Sequence, residues 1–221
     1  MIRALILDFD GLILDTETPM RQSWMEIYEE AGAVVDDQTW ASMLGSSPDP
    51  PAAYDLLENH LGQPVDRAAL HDRRLRREME ILSCKDLMPG VRSLVSAAEK
   101  AGLLLAIASS SERAWVVGHL ETHDFLSPFG VIVCAEDVEK TKPAPDLYVK
   151  ALEDLDIDPG EALVFEDSEH GVAAARAAGI PCVAVPNSVT SCLAFEQADL
   201  VVSSITQLTL EEYIAVCTSP G

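Results

Sequence analysis

Asp8-Phe9-Asp10-Gly11-Leu12-Ile13-Leu14-Asp15-Thr16 is the stretch on which the fold turns. Arg3-Ala-Leu-Ile-Leu7 precedes it, a short apolar run without alternation that suits a strand buried on both faces. Two carboxylates follow, two residues apart, where that strand should end. In an open α/β sheet the crevice beyond the strand C-termini is where ligands bind. Strand alternation puts Asp8 and Asp10 on one side of the chain. Like charges that close repel unless a cation or a proton lies between them, and Gly11 allows a sharp turn just after them. An acidic strand end followed by an ordinary turn explains the pair equally well, so the rest of the chain has to decide.

Downstream of Thr16 the pattern becomes helical. Met20, Trp24, Ile27 and Tyr28 recur at helical spacing, with Gly32 as a stop. Gly45-Ser-Ser-Pro-Asp-Pro-Pro51 reads as a loop, and Ala52–Leu61 and Asp66–Leu82 as helices. No strand pattern lies between Thr16 and Lys85, so this segment is expected to be an all-helical insert. From Pro89 strands and helices alternate. Helices are expected over Val91–Ala101, Glu112–His123, Pro145–Leu155, Glu169–Ala178 and Leu208–Cys217. Strands are expected over Leu103–Ala108, Val131–Cys134, Ala162–Phe165, Pro181–Val185 and Leu200–Val202. Such alternation implies an α/β, doubly wound parallel sheet with helices on both faces.

Three further stretches carry chemistry. Ser109 ends the second core strand in Ala-Ile-Ala-Ser-Ser-Ser-Glu-Arg, where a hydroxyl and free backbone N–H groups at a helix entry make an anion site. Taken alone, any of Ser109, Ser110 or Ser111 is as well explained as a helix N-cap. Lys142 lies in Glu139-Lys-Thr-Lys-Pro-Ala-Pro-Asp, where Pro143 and Pro145 stiffen the chain and hold the lysine in place. A plain surface lysine is the competing reading. Glu166-Asp167 follow the strand Ala162–Phe165, and with Asp8 they offer hard oxygen ligands suited to Mg²⁺. Acidic residues drawn to a helix N-terminus by its dipole are the alternative.

The four stretches, in this order and each beside a strand end, resemble the motifs of the haloacid dehalogenase superfamily. The residues after Asp10 resemble its β-phosphoglucomutase and phosphoglycolate phosphatase branch. The resemblance implies a Rossmann-like core over residues 1–15 and 88–221, with the helical segment 16–87 as an inserted cap domain. It implies Asp8 as nucleophile forming an aspartyl phosphate and Asp10 as general acid and base. Ser109, with Ser110 beside it, and Lys142 would bind the phosphoryl group, and the run Lys-Pro-x-Pro-Asp selects Lys142 over Lys140. Mg²⁺ would be held by Asp8, Asp167, the main-chain carbonyl of Asp10, and Glu166 directly or through water. His170 is read as incidental. β-Phosphoglucomutases carry a histidine soon after the first motif, and Met20 stands near that position here. A phosphatase of a small phosphorylated metabolite, a sugar phosphate or a phosphoglycolate-like ester, is therefore favoured over a phosphosugar mutase. A dehalogenase would lack the second aspartate. A non-catalytic phospho-ligand binder would be expected to lose Asp8, Asp10 or Lys142, and all three are present.

Composition bounds the partners. The 221 residues suffice for one core domain with a smaller insert. The net charge of −22 repels nucleic acid and anionic membranes, so neither is an expected partner. It also means that a phosphate site needs local positive charge. No apolar run reads as a signal peptide or is long enough to span a bilayer. Five cysteines, widely spaced and without a Cys-x-x-Cys, fit free thiols in a cytoplasmic chain. A monomer is expected. Half of the ten arginines lie between Arg67 and Arg77. A solvated helix face accounts for such a run. The sharper reading is that one or two point inward and meet a second anionic group on the substrate.

Overall fold

The apolar runs of the core form one parallel sheet. In this computed structural model, which describes residues 1–43 and 50–218, the strands are β1 (Ala4–Leu7), β2 (Leu104–Ala108), β3 (Val131–Val133), β4 (Ala162–Glu166), β5 (Cys182–Ala184) and β6 (Leu200–Val201). Their order is β3-β2-β1-β4-β5-β6, and every pair is parallel. β1 is central, with Leu5 opposite Leu105 on one side and Leu163 on the other. All four of its side chains are fully buried, which is why the strand shows no alternation in sequence.

The helices around the sheet are α5 (Val91–Lys100), α6 (Arg113–Thr122), α7 (Asp146–Leu155), α8 (Glu169–Ala177) and α9 (Leu210–Thr218). Leu5 and Leu7 of β1 pack with Leu94 and Val95 of α5, Val116 of α6 and Tyr213 of α9. Ile6, pointing the other way, packs with Leu147 and Tyr148 of α7 and Val172 and Ala175 of α8. This is the α/β, Rossmann-like doubly wound core expected from the alternation. The winding reverses between β1 and β4, so the crevice beyond their C-terminal ends is the switch point where such sheets bind ligands.

Between β1 and α5 the described residues form helices α1 (Glu17–Glu30), α2 (Asp37–Ala41), α3 (Pro51–Leu61) and α4 (Arg67–Leu82). They have their own core. Trp24 is fully buried among Tyr28, Trp40 and Tyr54, whose ring meets it edge-on at 4.8 Å, and the Tyr28 hydroxyl donates to the Ala53 carbonyl at 2.7 Å. α1 packs along α4. The connections into and out of this segment lie side by side. Leu14 bridges Leu87, the Met88 N–H donates to the Ile13 carbonyl at 2.8 Å, and Lys85 pairs with Asp15 at 2.7 Å. α2 was not expected from the sequence; Asp36 caps it by accepting from the Thr39 N–H. Of the loop expected at 45–51, residues 45–49 lie outside the described residues. Pro51 instead opens α3, in the first-turn position that proline favours.

Candidate active site

All but one of the expected site residues sit just at or after a strand end. Asp8 and Asp10 follow β1, Ser109 follows β2, and Glu166 and Asp167 close β4. Lys142 arrives on the connection between β3 and α7. The residue is 3% exposed and its ammonium is fully engaged, donating to Asp8 Oδ1 at 2.5 Å, Glu166 Oε1 at 2.6 Å and the Ala108 carbonyl at 2.8 Å. Burial alone would lower the lysine, but Asp8 and Glu166 outweigh it and hold the ammonium above the ordinary lysine range. Lys140 does not share this position; it is exposed.

Both oxygens of Glu166 are committed to donors. Oε1 accepts from Lys142 and from the Tyr148 hydroxyl at 2.8 Å, while Oε2 accepts from the N–H groups of Asp167 and Ser168 and the Ser168 hydroxyl. Gly171 makes room for it, since a Cβ there would lie 1.8 Å from Oε1. Gly11 does the same for Asp167. At φ +78° it takes a turn closed to most side chains, and an added Cβ would lie 2.1 Å from Asp167 Oδ2.

Asp10 points into a different cradle. Its Oδ2 accepts from Ser111 Oγ at 2.6 Å and Ser109 Oγ at 3.2 Å, and its Oδ1 accepts from the Trp115 indole N–H at 2.9 Å. The N-cap reading of the serines does not hold. α6 begins at Arg113 after Glu112, no side chain caps it, and Ser109 Oγ accepts instead from the Ser111 N–H at 3.0 Å. Ser110 Oγ is buried without a partner and lines the same cavity. Sequence reasoning missed Trp115, Ser111 and Asn187. Asn187, just past β5, donates from Nδ2 to Asp167 Oδ2 at 2.7 Å, while its Oδ1 accepts from the N–H groups of Val189 and Thr190. A polar residue at the C-terminal end of a parallel strand was the available signal for Asn187. His170 lies elsewhere, in a separate depression.

One ligand oxygen from each of Asp8, Glu166 and Asp167 lies within 4.8 Å of the others, and all three residues are buried. Burial, then the Glu166 charge, raises Asp8 to about 7 even though Lys142 opposes the shift. Burial, then Asp8, holds Asp167 well above the usual carboxylate range. One ammonium is thus too little positive charge for this many carboxylates. The all-oxygen, hard donor set fits a small divalent cation such as Mg²⁺.

A cavity of about 240 Å³ opens over these groups. Its floor is Asp8, Asp10, Asp167, Ser110 and Ser111. Its roof comes from the helical segment, with Glu17 and Met20 of α1 and His71, Arg74, Leu75 and Glu78 of α4.

The haloacid dehalogenase-like hydrolase profile matches residues 5–185. The chain belongs to this family. Within it, YhcW of Bacillus subtilis (strain 168) is 40% identical over 210 residues, covering 95% of each chain. The phosphorylated carbohydrates phosphatase of Thermotoga maritima is 29% identical over 181 residues, 81% of this chain and 82% of that one. Among solved structures, a CbbY variant from Rhodobacter sphaeroides in complex with xylulose-(1,5)bisphosphate superposes with a TM-score of 0.75 at 26% identity, covering 96% of this chain and 98% of the other. No helix of the described residues is long and apolar enough to cross a membrane.

Proposed function

We propose that this haloacid dehalogenase-like hydrolase is an Mg²⁺-dependent phosphatase of a small phosphorylated metabolite, working through an aspartyl phosphate on Asp8. The observation that carries the reading is the buried Lys142–Asp8–Glu166–Asp167 constellation at the switch point of the sheet, facing a roofed cavity of metabolite size. The naming of a relative for a phosphorylated-carbohydrate phosphatase activity agrees with it.

In this reading Asp8 and Asp167, with the Asp10 carbonyl, would hold the ion, whose charge would offset the repulsion between Asp8 and an anionic ester. Glu166 has no oxygen free of a donor, so its role is to fix Lys142 and, at most, to reach the ion through water. Asp8 attacks phosphorus and becomes phosphorylated. Lys142, whose three donors are held by Asp8, Glu166 and the Ala108 carbonyl, supplies its charge beside the equatorial oxygens where charge spreads, and the N–H groups beside Ser110, with the Ser109 hydroxyl once it turns from Asp10, bond them. Asp10 carries a proton to the leaving alcohol as its bond to phosphorus breaks, then takes one from the water that attacks the aspartyl phosphate, releasing inorganic phosphate and the Asp8 carboxylate; Ser109, Ser111 and Trp115 hold it. Residues 16–87 act as a cap over the core of residues 1–15 and 88–221, selecting the alcohol and limiting water. Met20, 5% exposed in the cavity wall, has no proton to transfer, which favours hydrolysis over mutase chemistry.

The test is phosphate release from a panel of small phosphate esters, with Mg²⁺ and with chelator. Turnover should need the ion, and Asp8→Asn should abolish both turnover and phosphoenzyme formation. Full activity in chelator, or a phosphoenzyme in Asp8→Asn, would overturn the assignment.

A further inference from the structure

The roof of the cavity differs from its floor in a way that bears on the substrate. The arginine run of α4 mostly faces outward. Arg67 pairs with Asp55 and Glu58, Arg73 with Glu30, and Arg77 with Glu26 and Glu80. Arg74 alone of these turns inward. It is 2% exposed, lines the cavity, and forms an ion pair with Glu78, which is 3% exposed and lines the cavity too. A buried ion pair one turn long brings no net charge to the wall. Glu17 stands beside it, 5% exposed, with Oε2 buried and without a hydrogen-bond partner. Protonated or ionised, Glu17 adds no positive charge, and in either form it bonds a hydroxyl. The remaining wall is made by Met20, Leu75 and the Trp115 ring, with Ser168 and the exposed carboxylate Glu112 at its edge. His71, partly exposed, is the other lining group able to carry positive charge.

We infer that the cap side of this site takes a neutral, hydroxylated leaving group, as in a sugar or polyol monophosphate, and discriminates against a second anionic group, because Glu78 neutralises Arg74 and Glu17 offers an unmet hydroxyl partner. This deepens the phosphatase reading and rests on it. It is the opposite of the expectation that an inward arginine of this run would meet a second anion. A bisphosphate or a phosphorylated acid would set its far charge against the buried carboxylates of Glu78 and Glu17, where an uncompensated charge is expensive. Sugar hydroxyls would instead donate to Glu17 and accept from Arg74, with the C–H face of the ring on Trp115.

The experiment compares kcat/KM, with Mg²⁺ saturating, within two matched pairs. These are 2-hydroxyethyl phosphate against phosphoglycolate, and fructose 6-phosphate against fructose 1,6-bisphosphate. The neutral-ended member should win in each pair by about tenfold or more, since one like charge at a few ångströms is worth about that much even when strongly screened. Glu78→Gln removes the carboxylate charge paired with Arg74 and should move both ratios toward the charged member by a similar factor. Glu17→Gln should raise KM for the fructose ester and leave KM for p-nitrophenyl phosphate, which has no hydroxyl, little changed. A wild-type preference for the charged member in either pair overturns the inference, and so does a folded Glu78→Gln protein with unaltered ratios. Should that variant not fold, the wild-type ratios decide alone. Failure to release nitrophenol or phosphate from any ester sinks the phosphatase reading itself, a different outcome from turnover with the wrong preference.

Discussion

Asn187 uses both ends of its amide. The carbonyl end is fixed by the Val189 and Thr190 N–H groups, so the NH₂ end is aimed at Asp167 Oδ2 and, at 3.4 Å, at the Gly11 carbonyl. A carboxylate held this way keeps one oxygen orientation before any ion arrives, and loss of such an orienting partner typically weakens metal affinity by about 10–100-fold. Asn187→Ala should therefore bind Mg²⁺ more weakly by about that factor in titration calorimetry. At saturating Mg²⁺ most of its activity should return. Unchanged affinity would show that Asp167 is not held for the ion by this contact. Trp115 stands to Asp10 as Asn187 stands to Asp167. Neither was legible in the sequence, for the same reason. Asp8, Asp10, Lys142 and Glu166-Asp167 announce themselves by residue type at strand ends, whereas a donor's partner 20 or 105 residues away is set by the folded chain.

At the scale of elements, two helices test how far local propensity governs this fold. Gly171 lies in the first turn of α8 and Gly118 lies within α6, and at neither does the backbone need a glycine conformation. Alanine is the better helix former by about 1 kcal/mol, so propensity alone would have both substitutions stabilise. Their surroundings separate them. A Cβ at Gly118 meets nothing within 4 Å, while one at Gly171 would overlap the Glu166 carboxylate. Gly118→Ala should be neutral or stabilising by up to about 1 kcal/mol in urea unfolding. Gly171→Ala should cost about 1–3 kcal/mol and lower activity by displacing Glu166 from Lys142. Equal effects of the two would refute the crowding argument. The same contrast explains which elements could be read in advance. β1 is a run of apolar residues buried on both faces, and β2 and β4 are so apart from the exposed Leu104 and the closing Glu166, so composition alone marks them. α2 is five residues long and buries only Trp40 and Ala41, too little for a helical period to be visible.

At the scale of the whole molecule, the crowd of acids at the switch point should make stability depend on pH and on Mg²⁺ together. Burial and neighbouring carboxylates raise Asp8 to about 7 and hold Asp167 and Glu17 well above their ordinary values. A carboxyl raised on folding binds its proton more tightly in the native state than in the unfolded chain. Its contribution is complete below the unfolded value near 4 and is lost as pH climbs through the folded value. The raised ammonium of Lys142 works in the same direction, but its contribution is lost only at alkaline pH, outside this window. Surface carboxyls held low by arginine, such as Glu26 beside Arg77, act the other way, weakly and at acid pH. In chelator the melting temperature should therefore fall as pH rises from about 4 through about 7 on account of Asp8, and further above that on account of Asp167 and Glu17, each kcal/mol lost lowering it by about 2–4 °C at this chain length. Mg²⁺ competes with protons for the same oxygens, so its affinity should rise with pH and its stabilisation with it. The predicted result is a small Mg²⁺-induced rise in melting temperature at the acid end and a large one at the alkaline end, measured at fixed ionic strength. General repulsion at a net charge of −22 also weakens the protein as pH rises. It is separated by Asp167→Asn, in which the Mg²⁺-dependent part should shrink while the general slope remains. An Mg²⁺ effect of equal size at both ends of the range would mean that the raised carboxyls and the ion do not share a site.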